Sequence, residues 1–228
     1  MNIKDASPES FGALSSFFYR RWAEPALSPL YRRVGAEIPI EEGRLLDVGC
    51  GPGRLARLLA AANPDLHVVG LDSSPAMLRQ AARGPSLPNL EFREGRIEEP
   101  HFERRFDFAV SLLSFHHWDE PRMGLEAVHT LLGPGGRFWI YEPDAEASDV
   151  ELAHDRAPLW GWLRIPGYFQ RLMSRTHGLS EREVDEKVRP LVAETPFGEV
   201  EATRRGSTWR LEMQKARPAS LDNAALGV

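Results

Sequence analysis

The stretch from Leu45 to Leu55, LLDVGCGPGRL, constrains this chain more than any other. Two apolar residues run into Asp47, glycines follow at every second position (Gly49, Gly51, Gly53), and a Leu- and Ala-rich helical pattern begins at once. That order reads as strand, tight turn, helix. Glycine suits such a turn because it tolerates positive φ and, lacking Cβ, lets backbone N–H groups approach a nucleotide-like ligand. A dinucleotide site would instead want G-x-G-x-x-G, with a pyrophosphate on the following helix N-terminus. Counting from Gly49, the sixth position is Arg54, which would crowd the helix against the strand. Neither Gly53 nor Asp47 has a role in holding a pyrophosphate. D-x-G-x-G-x-G is therefore read as a loop for a cationic, phosphate-free ligand.

These residues resemble the glycine loop of the class I S-adenosylmethionine-dependent methyltransferases of small-molecule type. The resemblance implies an α/β, Rossmann-like, doubly wound fold: a mostly parallel seven-stranded sheet with an antiparallel C-terminal hairpin strand and helices on both faces. It implies S-adenosyl-L-methionine as cofactor, with Asp47 facing its ammonium directly or through water, and Gly49, Cys50, Gly51 and Gly53 lining its path.

The 228 residues suffice for one α/β domain with modest additions. A net charge of −5 removes the electrostatic footprint that supplies most affinity for phosphate backbones, so no nucleic-acid partner is expected. The pairs Arg20–Arg21, Arg32–Arg33 and Arg204–Arg205 are short, scattered and read as solvated faces. Cys50 is the single cysteine, so no internal disulfide forms and a reducing, cytoplasmic setting is expected. It occupies a place in the turn that wants a small side chain, and is read as that rather than as a reactive thiol. There is no signal-peptide pattern and no apolar run near the roughly 18 residues of a membrane span, so no stable membrane insertion is expected.

Residues 1–43 are expected to form an N-terminal helical cap, two short helices broken by Pro25 and Pro29. In similar methyltransferases such a helix crosses the cofactor mouth; Phe18, Tyr19 and Trp22 would serve that purpose or simply pack on the core. The methyltransferase domain is expected over 44–216. A helix is predicted from Arg54 to Ala62, then a strand through LHVVGLD. Asp72 ends that strand, where a carboxylate can accept two bonds from a ribose diol, a feature that NAD would use equally. Ser73, Ser74 and Pro75 cap a helix holding Met77, which resembles the position that packs on adenine or is an ordinary core methionine.

A third strand is predicted at Leu90–Glu94, followed by Gly95-Arg96-Ile97-Glu98. Many relatives carry Gly-Asp-Ala-Glu here, the aspartate accepting from the adenine amine; Arg96 departs from that pattern because arginine cannot accept. The Ile97 backbone, Arg96 over the ring face, or Glu98 as acceptor are the alternatives. The fourth strand, Phe106 to Ser111, runs into LLSFHHWDEP. Ligands gather at the carboxyl ends of strands near the switch in strand order, so cofactor and acceptor should meet from Ser111 and Leu112 to Trp118. His116 and His117 are adjacent, with side chains expected to diverge, and no supporting third ligand suggests a metal. His116 is the candidate general base, weighed against a structural or cofactor-lining role.

A helix is predicted from Pro121 to Leu132, a glycine turn at 133–136, and a fifth strand through RFWIYEPD, with Glu142 and Asp144 at its end facing the acceptor or, as preferred here, solvated in the loop. A cap insertion is expected at about 149–178, where Trp160, Trp162, Tyr168 and Phe169 interleave with Arg156, Arg164 and Arg171. Over the cleft it would favour a flat or lipophilic acceptor; packed on the domain or a second copy, it would suit a homodimer. A capped helix from Ser180 to Ala193 and a hairpin turning at Gly206-Ser207 follow, then a flexible tail over 217–228.

The sulfonium methyl is already an activated electrophile, so orienting an acceptor lone pair in line with it, worth about 7–11 kcal/mol, requires no strong acid or base. The expected function is methyl transfer from S-adenosyl-L-methionine to a small-molecule acceptor by in-line displacement. A methyltransferase-like binding module without transfer is the second reading, and an NAD-type oxidoreductase the third.

Overall fold

Leu45, Leu46 and Val48 are all buried, and successive residues of a strand face opposite sides, so the strand that carries them needs apolar cover on both faces. The computed structural model, which describes residues 27–155 and 176–217, supplies it. The strands are β1 (Gly43–Val48), β2 (Leu66–Asp72), β3 (Leu90–Glu94), β4 (Phe106–Leu112), β5 (Leu132–Pro143), β6 (Glu201–Arg205) and β7 (Thr208–Gln214). They form one sheet in the order β3-β2-β1-β4-β5-β7-β6. Strands β1 to β5 pair in parallel, while β7 runs antiparallel to β5 and to β6. The expected doubly wound sheet with a closing hairpin is what the chain forms.

Helices α1 (Ser28–Glu37) and α2 (Arg54–Ala62) cover one face, burying Leu30, Val34, Leu55 and Leu59 with Leu45, Val68 and Val110. Helix α3 (Pro75–Ala81) starts on Ser74, whose side chain accepts from the Met77 N–H, and has Pro75 in its first turn. On the other face α4 (Pro121–Leu131) buries Leu125 and Val128 against Leu46, Phe106 and Phe138. The same cluster takes Val184, Val188 and Val192 from α6, which runs through Glu181–Glu183, a π-helical Val184–Val188 and Arg189–Ala193. Ser180 and Glu183 close its predicted capping box. A second capping box, Ser148 with Glu151, opens α5 (Asp149–His154).

The hairpin places its strands unequally. β7 lies inside the sheet, paired with β5 from Arg137↔Gln214 to Pro143↔Thr208, whereas β6 is the edge. Its exposed Glu201, Arg204 and Arg205 are the charges that discourage further strand pairing. The switch in strand order falls at β1, between β2 and β4, so the carboxyl ends of these strands open on the cleft. Phe18, Tyr19 and Trp22, the aromatic segment Trp160 to Phe169 and residues 218–228 lie outside the described residues.

Candidate functional site

The β1–α2 turn is held by the end of β2: the N–H groups of Gly49 and Cys50 both donate to the Leu71 carbonyl, at 2.8 and 3.0 Å. Gly49, Gly51 and Gly53 all have positive φ, but what each faces differs. A Cβ on Gly49 would lie 2.2 Å from Ser114 Oγ, and one on Gly53 would lie 2.3 Å from the Phe92 ring. One on Gly51 would meet nothing within 4 Å among the described residues. Gly51 is thus the glycine that faces the open cleft, while its neighbours allow close packing behind the turn. The Cys50 thiol is buried against Gly70, and burial beside Asp47 and Asp72 pushes its pKa well up. What Cys50 offers a ligand is backbone.

Asp72 locks the turn from the other side. Its Oδ2 accepts from Gly51 N at 2.7 Å and its Oδ1 from Ser74 N at 2.8 Å. Because a carboxylate has about four acceptor sites, the two bonds made leave capacity for a ribose diol. Burial raises its pKa, and the two backbone donors oppose that rise.

Asp47 is the electrostatic centre of the site. It is 1% exposed, and among the described residues its Oδ2 has no hydrogen-bond partner. Burial first, and then the charge of Asp72, push its pKa up to about 7, against one opposing bond from the Ala56 N–H at the start of α2. A buried carboxylate oxygen left unpaired is costly, and a cation brought to it removes that cost. The donor set therefore fits the ammonium of S-adenosyl-L-methionine: an orphaned anionic oxygen beside a turn whose Gly51 backbone stands open. The same feature offers nothing to a pyrophosphate.

Past β3, Ile97 is buried in the core while Arg96 is half-exposed and turned to Asp119, Nη2 to Oδ2 at 2.6 Å, with Glu98 Oε1 at 3.5 Å. Met77 is buried in the first turn of α3. At the end of β4, Ser111 is fully buried and bonds Ser114 Oγ at 2.8 Å, which donates onward to the Val48 carbonyl at 2.9 Å. Leu112 is buried, and Leu113 adopts φ +56, a left-handed conformation that costs a side-chain-bearing residue about 1–2 kcal/mol. Such strain gathers where a chain is forced into a working geometry.

Two readings of this region need correction. His116 and His117 do not diverge: their ring centroids are 3.9 Å apart, and His177 joins them at 5.3 and 6.4 Å. The three-residue 3-10 turn Phe115–His117 is anchored at both ends, with no longer helix to fan the rings apart. Phe115 N–H donates to Glu142 Oε1 at 2.8 Å, and Trp118 stacks on Phe138. Nor is Glu142 solvated. β5 continues in register with β7 as far as Pro143, which places Glu142 within the sheet, 0% exposed, its Oε2 2.5 Å from His116 Nδ1. Asp144 is buried too, beside Arg204 and accepting from the Glu146 N–H. Burial, then the charges of His116 and His177, push His117 down to about 4; burial also lowers His177. Among the described residues no group of three or more His, Cys, Asp or Glu side chains could hold a metal ion. Ser114 and His177 were not singled out in the sequence, and Glu142 was named there only as a residue at the strand's end. Only the Ser111-x-x-Ser114 spacing, which spans the strand end, carried a local signal for any of them.

With this geometry in place, the comparisons with known proteins agree with it. Residues 46–138 match a family model described as a methyltransferase domain. The sequence is 37% identical over 127 residues to a trans-aconitate 2-methyltransferase of Methylobacterium radiotolerans, covering 55% of this chain and 48% of the relative. It is 36% identical over 101 residues to a tRNA (carboxymethyluridine(34)-5-O)-methyltransferase of Saccharomyces cerevisiae, covering 42% of this chain and 34% of that one. The chain thus spans about half the length, or less, of these curated relatives. The fold matches the crystal structure of a SAM-dependent methyltransferase from Aquifex aeolicus with a TM-score of 0.63 at 18% identity, over 90% of this chain and 98% of that one. Residues 46–138, less than half of the chain, match the methyltransferase domain model, and the likeness to the Aquifex structure is one of fold. Among the described residues no helix is long and apolar enough to cross a membrane.

Proposed function

We propose that this chain is an S-adenosyl-L-methionine-dependent methyltransferase that transfers the sulfonium methyl to a small-molecule acceptor. The observation that carries the proposal is the unpartnered, buried Oδ2 of Asp47 beside the open backbone of Gly51. In this reading Asp47 holds the ammonium, and Gly49, Cys50, Gly51 and Gly53 form the path of the amino-acid part. Asp72 and Ser73 meet the ribose, Met77, Arg96 and Ile97 the adenine, and Ser111 and Leu112 floor the cleft. The bound cofactor supplies an activated methyl; the chain binds, orients and excludes water.

The net charge of −5 supports a small molecule over nucleic acid as acceptor, and a lone, buried cysteine supports a cytoplasmic setting. The segments 1–43 and 149–178 are proposed as the caps that choose the acceptor, since specificity in a shared fold lies in such additions. Isothermal titration tests the core of this reading. S-adenosyl-L-methionine should bind and NAD should not, and Asp47→Ala should abolish binding. Methyl transfer is then assayed against pooled phenols, thiols, amines and total tRNA. Cofactor binding without any methylated product would favour the binding-module reading.

A further inference from the structure

His116 has a carboxylate partner seated inside the sheet. Glu142 is fully buried, and both of its oxygens are committed, Oε1 to the Phe115 N–H and Oε2 to His116 Nδ1. Because a carboxylate only accepts, Nδ1 must carry a proton, and in the neutral ring that leaves the lone pair on Nε2. The anchor is rigid, since Glu142 pairs with Trp209 inside the β5–β7 ladder and the Phe115 bond fixes the turn that carries the imidazole. The ring itself stands at the carboxyl ends of β4 and β5, with 21% of its side chain exposed.

Among the described residues the titratable groups facing His116 are Glu142 from β5, His117 from its own turn and His177 from the segment before α6. Partial loss of hydration, the largest cause for each, holds His117 and His177 toward the neutral form although both residues are exposed. They add two uncharged rings and no competing positive charge.

We propose that Glu142 is a positioning residue that fixes His116 as the proton acceptor of the reaction, and that the methyl acceptor is accordingly a hydroxyl compound. The proposal rests on the methyltransferase reading above. An amine presents a free lone pair and needs no such dyad, whereas a hydroxyl becomes a good nucleophile only as its proton leaves. The acceptor O–H proton passes to His116 Nε2 as the oxygen lone pair forms the bond to methyl. The pair of the broken S–C bond stays on sulfur, giving the neutral thioether, and the imidazolium then releases its proton to solvent.

The test is a nitrogen-15 NMR titration of the full chain labelled in histidine, which requires neither cofactor nor acceptor. Neutral His116 should be protonated on Nδ1, and Glu142→Gln should lower its titration midpoint by at least one pH unit. A proton on Nε2, or a midpoint that Glu142→Gln does not move, would overturn the proposal. Titration with S-adenosyl-L-methionine runs in parallel. Loss of binding in the wild-type protein defeats the methyltransferase reading itself, while intact binding with the wrong tautomer defeats only the role of Glu142. Retained binding in Glu142→Gln shows that the variant is folded. Against matched phenols and anilines, O-methylated product is expected, with kcat rising tenfold per pH unit below the His116 midpoint. N-methylated product alone, or no product from the phenols, overturns the hydroxyl assignment.

Discussion

Arg33 reaches Asp155, 122 residues further along the chain, through two parallel bonds, Nε to Oδ1 at 2.9 Å and Nη2 to Oδ2 at 2.8 Å. The same carboxylate accepts the Ser207 N–H and hydroxyl at 2.9 and 2.8 Å, so one buried side chain joins α1, the end of α5 and the β6–β7 turn. Burial alone would raise the Asp155 pKa; the donors from Arg33 and Ser207 outweigh it, and the net shift is downward. Asp155→Ala removes one partner of a buried pair and is expected to cost about 3–5 kcal/mol in chemical denaturation. Because the folded pKa is depressed, this contribution is present above the ordinary carboxylate range and is lost as pH falls through the folded value. The difference between wild type and Asp155→Ala should therefore shrink in acid. A difference that stays constant down to acid denaturation would contradict the assignment.

Asp47 has the opposite sign. Its folded pKa, about 7, lies above its unfolded one, so between the two values the folded state holds a proton that the unfolded state has released. The cofactor-free protein should lose stability as pH rises toward 7, by roughly 2–4 kcal/mol at about 1.4 kcal/mol per unit. Asp47→Asn should flatten that dependence and stabilise the cofactor-free protein above neutrality. The same substitution should remove S-adenosyl-L-methionine binding, which in the wild type tightens as Asp47 ionises. Melting temperature against pH for both proteins, with and without the ligand, reads all of this.

The glycines of the first turn separate packing from binding. Gly53→Ala drives a methyl into the Phe92 ring and Gly49→Ala drives one into Ser114, so both should lower the melting temperature steeply. Gly51→Ala carries only the left-handed backbone cost, about 1–2 kcal/mol, because its Cβ meets no atom of the described residues. Its methyl would nevertheless enter the cleft. Calorimetry should therefore show a modest stability change and a large loss of cofactor affinity for Gly51→Ala, the reverse of the ranking for Gly53→Ala measured by melting.

Arg96 and Asp119 form an exposed pair, with side chains 45% and 54% accessible. Solvent screening limits such a pair to at most about 1 kcal/mol. Arg96→Ala should leave the denaturation midpoint nearly unchanged. A change of affinity for S-adenosyl-L-methionine in that variant would then report contact with the cofactor, free of any folding defect.

The glycine turn, the parallel strands and the closing hairpin were legible because each is written locally, in the spacing of glycines, in apolar runs and in the pattern around Gly206. Asp47 was legible for the same reason, being adjacent to its turn. Glu142 was misjudged because its burial depends on how far β5 stays paired with β7, a register fixed some 70 residues away. His177 and the Arg33–Asp155 pair had no local mark at all, since only the folded topology brings them to their partners. The close approach of Ser114 to Gly49 and of Phe92 to Gly53 was not legible, because spacing cannot say which side of a turn is crowded.

With β7 seated between β5 and β6, strand β5 has no partner on that side until residues 208–214 have left the ribosome. Until then Tyr141 and Glu142 belong to an unfinished margin, and a chain interrupted after Arg205 would present a long, largely apolar strand to any neighbouring molecule. The anchor of the His116 turn and protection against aggregation are thus completed by the same late event, so that a chain able to position His116 is also one that has closed its sheet.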